Sequence, residues 1–93
     1  MKEMTVPERR VVVASRAGLH ARPAAVFARA AGELSVSVQI AKDGMAPVDA
    51  ASILALMTLG ANEGDEVVLT AEGDGAEAAL DTLAGLLGRE LDE

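Results

Sequence analysis

The sequence predicts a two-layer α/β sandwich, an antiparallel sheet with helices on one of its faces. Three observations predict it. Residues 34–40 (LSVSVQI) alternate apolar and polar side chains strictly, as a strand with one buried and one wet face does. Ala24, Phe27, Ala28 and Ala31 recur at i, i+3, i+4 and i+7, which is one face of a helix. The elements follow one another as β-α-β-β-α-β-α within 93 residues, enough chain for one domain and too little for two cores.

Each element has its own local cause. Residues 9–14 (RRVVVA) hold a β-branched run and read as the first strand. The break at SRAGL leads into a helix over 21–31, with Pro23 near its start, where a missing N–H is harmless, and Gly32 as its stop. Strand 34–40 presents Leu34, Val36, Val38 and Ile40 on one side. Lys42-Asp43-Gly44 is a hairpin turn signal, and 45–48 form a short return strand that Pro47 confines to an edge or a bulge. Ser52 caps a short helix, SILALMTL, which ends at Gly60. ANEGD is a loop, 66–71 (EVVLTA) a strand and EGDG a turn. A last helix over 75–87 starts at Asp74 or Gly75, buries Ala76, Leu80, Leu83 and Leu87, and stops at Gly88. The opening MKEMTVPE, residues 1–8, reads as a frayed extension.

Composition removes several function classes. Phe27 is the single aromatic residue, so there is no platform for base stacking. With no cysteine and one histidine, disulfide frameworks, thiol chemistry and multi-histidine metal sites are excluded. The net charge of −7 argues against nonspecific binding to DNA. That charge is uneven. Residues 1–32 hold six basic groups against two acidic ones, a net +4, whereas 33–93 hold two against thirteen, a net −11. The basic third is expected to face an anionic ligand or acidic partners, with the acidic remainder as solvated scaffold. No apolar run approaches the ~20 residues of a membrane helix. MKEMTVPERR also lacks an apolar leader core, so a cytoplasmic protein without membrane insertion is expected.

The histidine that excludes a metal cluster is itself the best candidate for chemistry. His20 follows Gly18, which permits a tight turn, and precedes a helix whose unpaired N–H groups and positive dipole end point at it. Arg22 stands two residues on, and Pro23 stiffens the first turn. A helix N-terminus with an arginine is a phosphate-binding arrangement. Neutral imidazole is a nucleophile near pH 7, and its phosphorylated form is reactive enough to pass the group on. A Ser-His-Asp triad is unsupported, because Ser15 and Asp43 are unplaced relative to His20 and no GxSxG turn occurs. No GxxxxGK[ST] loop is present either.

Two further features frame this site. Ser52 caps its helix, and a phosphate on it would be tolerated by the helix dipole. Ile53, Leu54, Leu56 and Met57 crowd a helix too short to bury every side. They are either all core or split between the core and an apolar docking patch, in which Met adapts to several partners. Arg29, seven residues after Arg22 on the same helix face, could border such a patch.

Together these residues resemble the HPr family, the histidine-containing phosphocarriers of the phosphoenolpyruvate-dependent sugar phosphotransferase system. AGLHARPAAVF resembles that family's active-site signature, and AASILALMTLGANEGDEV resembles the signature around its regulatory serine. The likeness runs from about Arg9 to Leu87. It implies an α+β fold, an open-faced two-layer β-sandwich with a four-stranded antiparallel sheet in order 1-4-2-3 and three helices on one face. It implies a carrier rather than an enzyme in its own right, one that needs no cofactor. His20 would accept a phosphoryl group on Nδ1 from phosphorylated Enzyme I and pass it to EIIA components of sugar permeases. Arg22 would steady the phosphate, and Gly18, Ala21 and Pro23 would shape the turn and the helix start. Ala25, Ile53, Leu54 and Met57 would fall at the docking surface, with Arg29 at its rim. Ser52 would be the position a serine kinase modifies, with its phosphatase and transcription regulators as further partners. The chain departs from the family pattern at Ala17, where a small polar residue is common. Ala51 and Asp49 replace a usual lysine and asparagine and leave Ser52 in less positive surroundings. A monomer is expected. The alternatives are a paralogous carrier in a nitrogen-related or dihydroxyacetone-kinase chain, and a regulatory protein-docking module.

Overall fold

The computed structural model describes residues 7–16, 18–19, 21–42 and 44–89. Seven elements follow in the expected order: β1 (Glu8–Val12), α1 (Ala21–Gly32), β2 (Val38–Lys42), β3 (Val48–Asp49), α2 (Ile53–Leu59), β4 (Glu66–Ala71) and α3 (Ala76–Leu87). The strands form one antiparallel sheet in the order β1-β4-β2-β3. The architecture is that of an open-faced sandwich. β4 lies at the centre because its Val67, Leu69 and Ala71 all point into the core and it has a partner on either side. β1 pairs it from Glu8↔Thr70 to Val12↔Glu66, and β2 pairs it from Val38↔Ala71 to Lys42↔Val67.

The helices cover the face on which Val38, Ile40, Val67 and Leu69 are buried. α3 packs on β1 and β4 through Ala76, Ala79, Leu80, Leu83 and Leu87, while α1 packs beside both α2 and α3. Phe27, fully buried, fills the centre with Leu19, Leu56 and Leu80. The stripe of Ala24, Phe27, Ala28 and Ala31 is buried as the periodicity requires. So are Ala76, Leu80, Leu83 and Leu87.

The strand ends differ from the sequence expectation for identifiable reasons. Residues 34–37 stay outside the ladder because β4 ends at Ala71, the partner of Val38, and the chain turns through Gly73 beyond it. Leu34 and Val36 still lean on the core, half-buried. The strand runs on to Lys42 instead. The return strand is displaced from 45–48 to Val48–Asp49, past the Pro47 that has no N–H to donate. β1 ends at Val12, since the Val13 and Ala14 amides donate to Asp65 and Leu87 carbonyls (2.9 and 3.0 Å) rather than to β4. At its other end β1 begins at Glu8, inside the stretch expected to fray, and Pro7 accepts a bond from Ala71 (3.3 Å). The rest of that stretch, 1–6, lies outside the described residues, as does Asp43 of the hairpin signal.

Ser52 caps α2 as read from the sequence. Its Oγ accepts the Ala55 N–H at 3.1 Å, an arrangement worth about 1 kcal/mol.

Candidate functional site

The site loop connects β1 to α1 over residues 13–20. Its entrance is bonded to a second loop, 60–65, in both directions: the Val13 amide donates to the Asp65 carbonyl and the Gly64 amide to the Val13 carbonyl, each at 2.9 Å. Ser15 is buried, and its carbonyl accepts the Gly18 amide at 2.9 Å, which closes a turn. Gly18 completes that turn at φ +65°, and its Cα faces the backbone of Ala61 and Asn62 so closely that a Cβ would meet the Ala61 oxygen at 2.5 Å. Leu19 is wholly buried and donates its amide to the Ala61 carbonyl at 2.9 Å. The chain entering position 20 is therefore pinned on one side by a core leucine and on the other by a neighbouring loop. His20 itself, and Ala17 before it, lie outside the described residues.

On the far side of that position α1 begins at once. Ala21, its first residue, has φ +38°, a conformation that L-residues rarely adopt and that costs of the order of 1–3 kcal/mol. Such strain persists only where the surroundings impose it, and here it lies between the pinned Leu19 and the buried Pro23. The first turn of α1 holds no acidic side chain and carries the exposed Arg22. Its N–H groups, unpaired within the helix, make this end electropositive. An anion in front of it would meet backbone donors and a guanidinium, with no carboxylate from the first turn to repel it.

Beside this end the chain exposes an apolar surface. The four α2 residues singled out above are split: Leu56 is fully buried, whereas Ile53, Leu54 and Met57 are 44%, 77% and 42% exposed. The four are therefore not core throughout: they divide between one buried side chain and an exposed apolar surface. A shallow groove of about 530 Å³ runs between α1 and α2, lined by Ala25, Val26, Arg29, Ala30, Glu33 and Ile53. It brings Ala25, Arg29 and Ile53 together. Leu54 and Met57 stand exposed on the same short helix. Sequence reasoning missed Val26, 40% exposed in the groove. The available signal was its place off the buried stripe of α1, one turn from both Arg22 and Arg29. Ser52 is half-buried at the start of α2, and the Asp49 carboxylate, three residues upstream, accepts the Ala51 amide at 2.9 Å.

The charge expectation needs correction. The basic third of the sequence is not one basic surface. Arg9 points to the helical face and pairs with Glu77 and Asp81 of α3, at 2.9 and 3.0 Å. These carboxylates raise its already high pKa. Arg10 lies 3.6 Å from Glu66 across the strand pair, and Arg29 pairs loosely with Glu33 one turn on, at 3.9 Å. β1 carries its arginines to the sheet and to α3, so Arg22 alone of the singled-out basic residues stands in the helix turn after position 20.

A model of the phosphorylation site of the phosphotransferase-system HPr component matches residues 7–89. The chain belongs to the HPr family. HPr phosphocarrier from Streptomyces coelicolor is 54% identical over 86 residues, 92% of either chain. The HPr crystal structure from Bacillus anthracis superposes with a TM-score of 0.84 at 38% identity, covering 90% of this chain and 99% of that one. Crh of Bacillus subtilis, covering 100% of both chains with a TM-score of 0.71 and 36% identity, crystallises as an intertwined dimer with a swapping domain. The HPr sheet order and the three helices are those found here.

Proposed function

We propose that this chain accepts a phosphoryl group on Nδ1 of His20 from phosphorylated Enzyme I and hands it to EIIA components of sugar permeases. The observation that carries the reading is the helix start after position 20: a pinned approach through Gly18 and Leu19, then a first turn with Arg22 and no acid. Family membership across residues 7–89 supports it.

The transfer is a displacement at phosphorus. The neutral imidazole nitrogen of His20 forms a P–N bond as the bond from phosphorus to the donor breaks; the donor group leaves with that electron pair and is balanced by the proton that the other ring nitrogen of His20 gives up. The phosphoryl group arrives already activated, so the carrier supplies position and charge. Negative charge spread over the transferring oxygens faces the N-terminus of α1 and the guanidinium of Arg22. One arginine and backbone amides hold phosphate loosely enough to release it to the next acceptor. Ala25, Ile53, Leu54 and Met57, with Arg29 at the rim, form the surface on which donor and acceptor dock in turn. Ser52 is a regulatory position in this reading. A phosphate there would set negative charge beside Ile53 and Leu54 and weaken docking of acidic partners. The chain works as one cytoplasmic domain and as a monomer, since one small patch serves each partner in succession.

Incubation with Enzyme I and labelled phosphoenolpyruvate tests the assignment. The label should be acid-labile and base-stable, and absent in His20→Ala. Label that persists in His20→Ala overturns it.

A further inference from the structure

The loop that supports the site has a lock of its own. The Asp65 carboxylate accepts the Asn62 amide at 2.9 Å, and the Asp65 amide donates to the Asn62 carbonyl at the same distance. The turn 62–65 is thus closed from both ends. Lys42, the last residue of β2, reaches across to it: Nζ donates to the Gly60 carbonyl at 3.3 Å and lies 3.5 Å from the Asp65 carboxylate. Gly60, where α2 ends, and Asp65, just before β4, are therefore tied to one side chain of a third element. Ala61, between them, supplies the carbonyl that anchors Leu19 and the backbone against which Gly18 is seated.

We infer that Asp65, held by Lys42, is a positioning residue for phosphoryl transfer: it fixes the Ala61 carbonyl, and through Leu19 it sets the path of the chain into the start of α1. The inference rests on His20 as the acceptor. Asp65 and Lys42 need not touch the phosphoryl group, since neither belongs to the docking patch or to the first turn of α1. Their effect is geometric. In-line displacement demands close alignment, and a misplacement of about 1 Å can cost ~100-fold in rate. The Asn62 amide and then Lys42 hold the Asp65 carboxyl below its usual range, so the lock is ionised at neutral pH.

Two readouts on the full chain test this. Transfer from phosphorylated Enzyme I is measured as kcat and KM in Asp65→Ala, Asp65→Asn and Arg9→Ala. Arg9→Ala removes an ion-pair cluster between β1 and α3 and serves as the stability control. Asp65→Ala should lower kcat at least ~10-fold with KM unchanged. Asp65→Asn, whose amide oxygen can still accept from Asn62, should recover most of the rate, and Arg9→Ala should leave both constants alone. Native-state amide exchange is the second readout and needs no partner. The Leu19 amide should exchange faster in Asp65→Ala and not in Arg9→Ala. Unaltered Leu19 exchange overturns the inference, as does a kcat loss shared equally by Arg9→Ala. A chain that Enzyme I does not phosphorylate at all would instead overturn the carrier assignment, while the Leu19 exchange would still decide the coupling between the loops.

Discussion

Replacing Gly18 with alanine measures how closely the site loop is seated on its neighbour. A methyl group on Gly18 would stand 2.5 Å from the Ala61 oxygen and 2.8 Å from Asn62 Cα. Both obstacles are backbone, so no side chain can swing aside. Gly44 is the matched control, with φ +83° and nothing within 4 Å of its added methyl. At Gly44 alanine bears only the left-handed conformation, about 1 kcal/mol. At Gly18 the same cost is joined by overpacking, typically about 1–3 kcal/mol. The loss of unfolded-chain freedom is common to both substitutions and cancels in the comparison. Gly18→Ala should therefore destabilise by about 2–4 kcal/mol, at least ~1 kcal/mol more than Gly44→Ala. A domain of this length has roughly 5–14 kcal/mol to lose. Denaturant unfolding gives the difference directly, and thermal melting of Gly18→Ala should fall by at least about 8 °C. Equal losses at the two glycines would refute the claim that loops 13–20 and 60–65 meet backbone to backbone.

Two other outcomes follow from the surface and from the lock. Leu54→Glu, at a position 77% exposed, should leave stability within about 0.5 kcal/mol. It should weaken Enzyme I binding about tenfold by titration calorimetry, as expected if Leu54 is central to the patch; unchanged affinity would remove Leu54 from the docking surface. The depressed Asp65 carboxyl predicts a pH dependence of definite sign. A lowered native pKa gives stability that is complete above the unfolded value, near ~4, and is lost as pH falls through the native value. The stability gap between the chain and Asp65→Asn should be constant above about pH 5 and shrink in acid. A gap that stays level down to about pH 2 would contradict the assignment.

Much of this molecule was legible from local pattern. The stripe of Ala24, Phe27, Ala28 and Ala31 named the buried face of α1 because one period and one burial direction determine it. Ser52 and Gly60 bounded α2 because caps act within a few residues. The strand order came from resemblance, not from pattern, since alternation says that a strand pairs and not with which partner. The edges of β2 escaped for the same reason: they depend on where β4 ends, some thirty residues later. The split between Leu54 and Leu56 needed the placement of α1, because six of the seven residues of α2 are apolar and Thr58 is its single polar one. The Lys42–Asp65 lock and the Arg9 pairs had no local signal. Each joins residues that only the finished sheet makes neighbours.

The central place of β4 also governs when the chain can fold. β1 and β2 both wait for the same partner, and Glu8 is matched to Thr70, 62 residues further along. At a synthesis rate of about 5–20 residues per second, β1 spends roughly 3–12 s without its partner strand. Until β4 emerges from the ribosome, what precedes it has two helices and only the short β2–β3 pair to lay them on. Assembly is then a late, nearly all-or-none event, limited by one long-range closure. A ribosome pause placed before residue 66 would hold an open, chaperone-accessible chain, whereas one placed once β4 has emerged would let the sheet close.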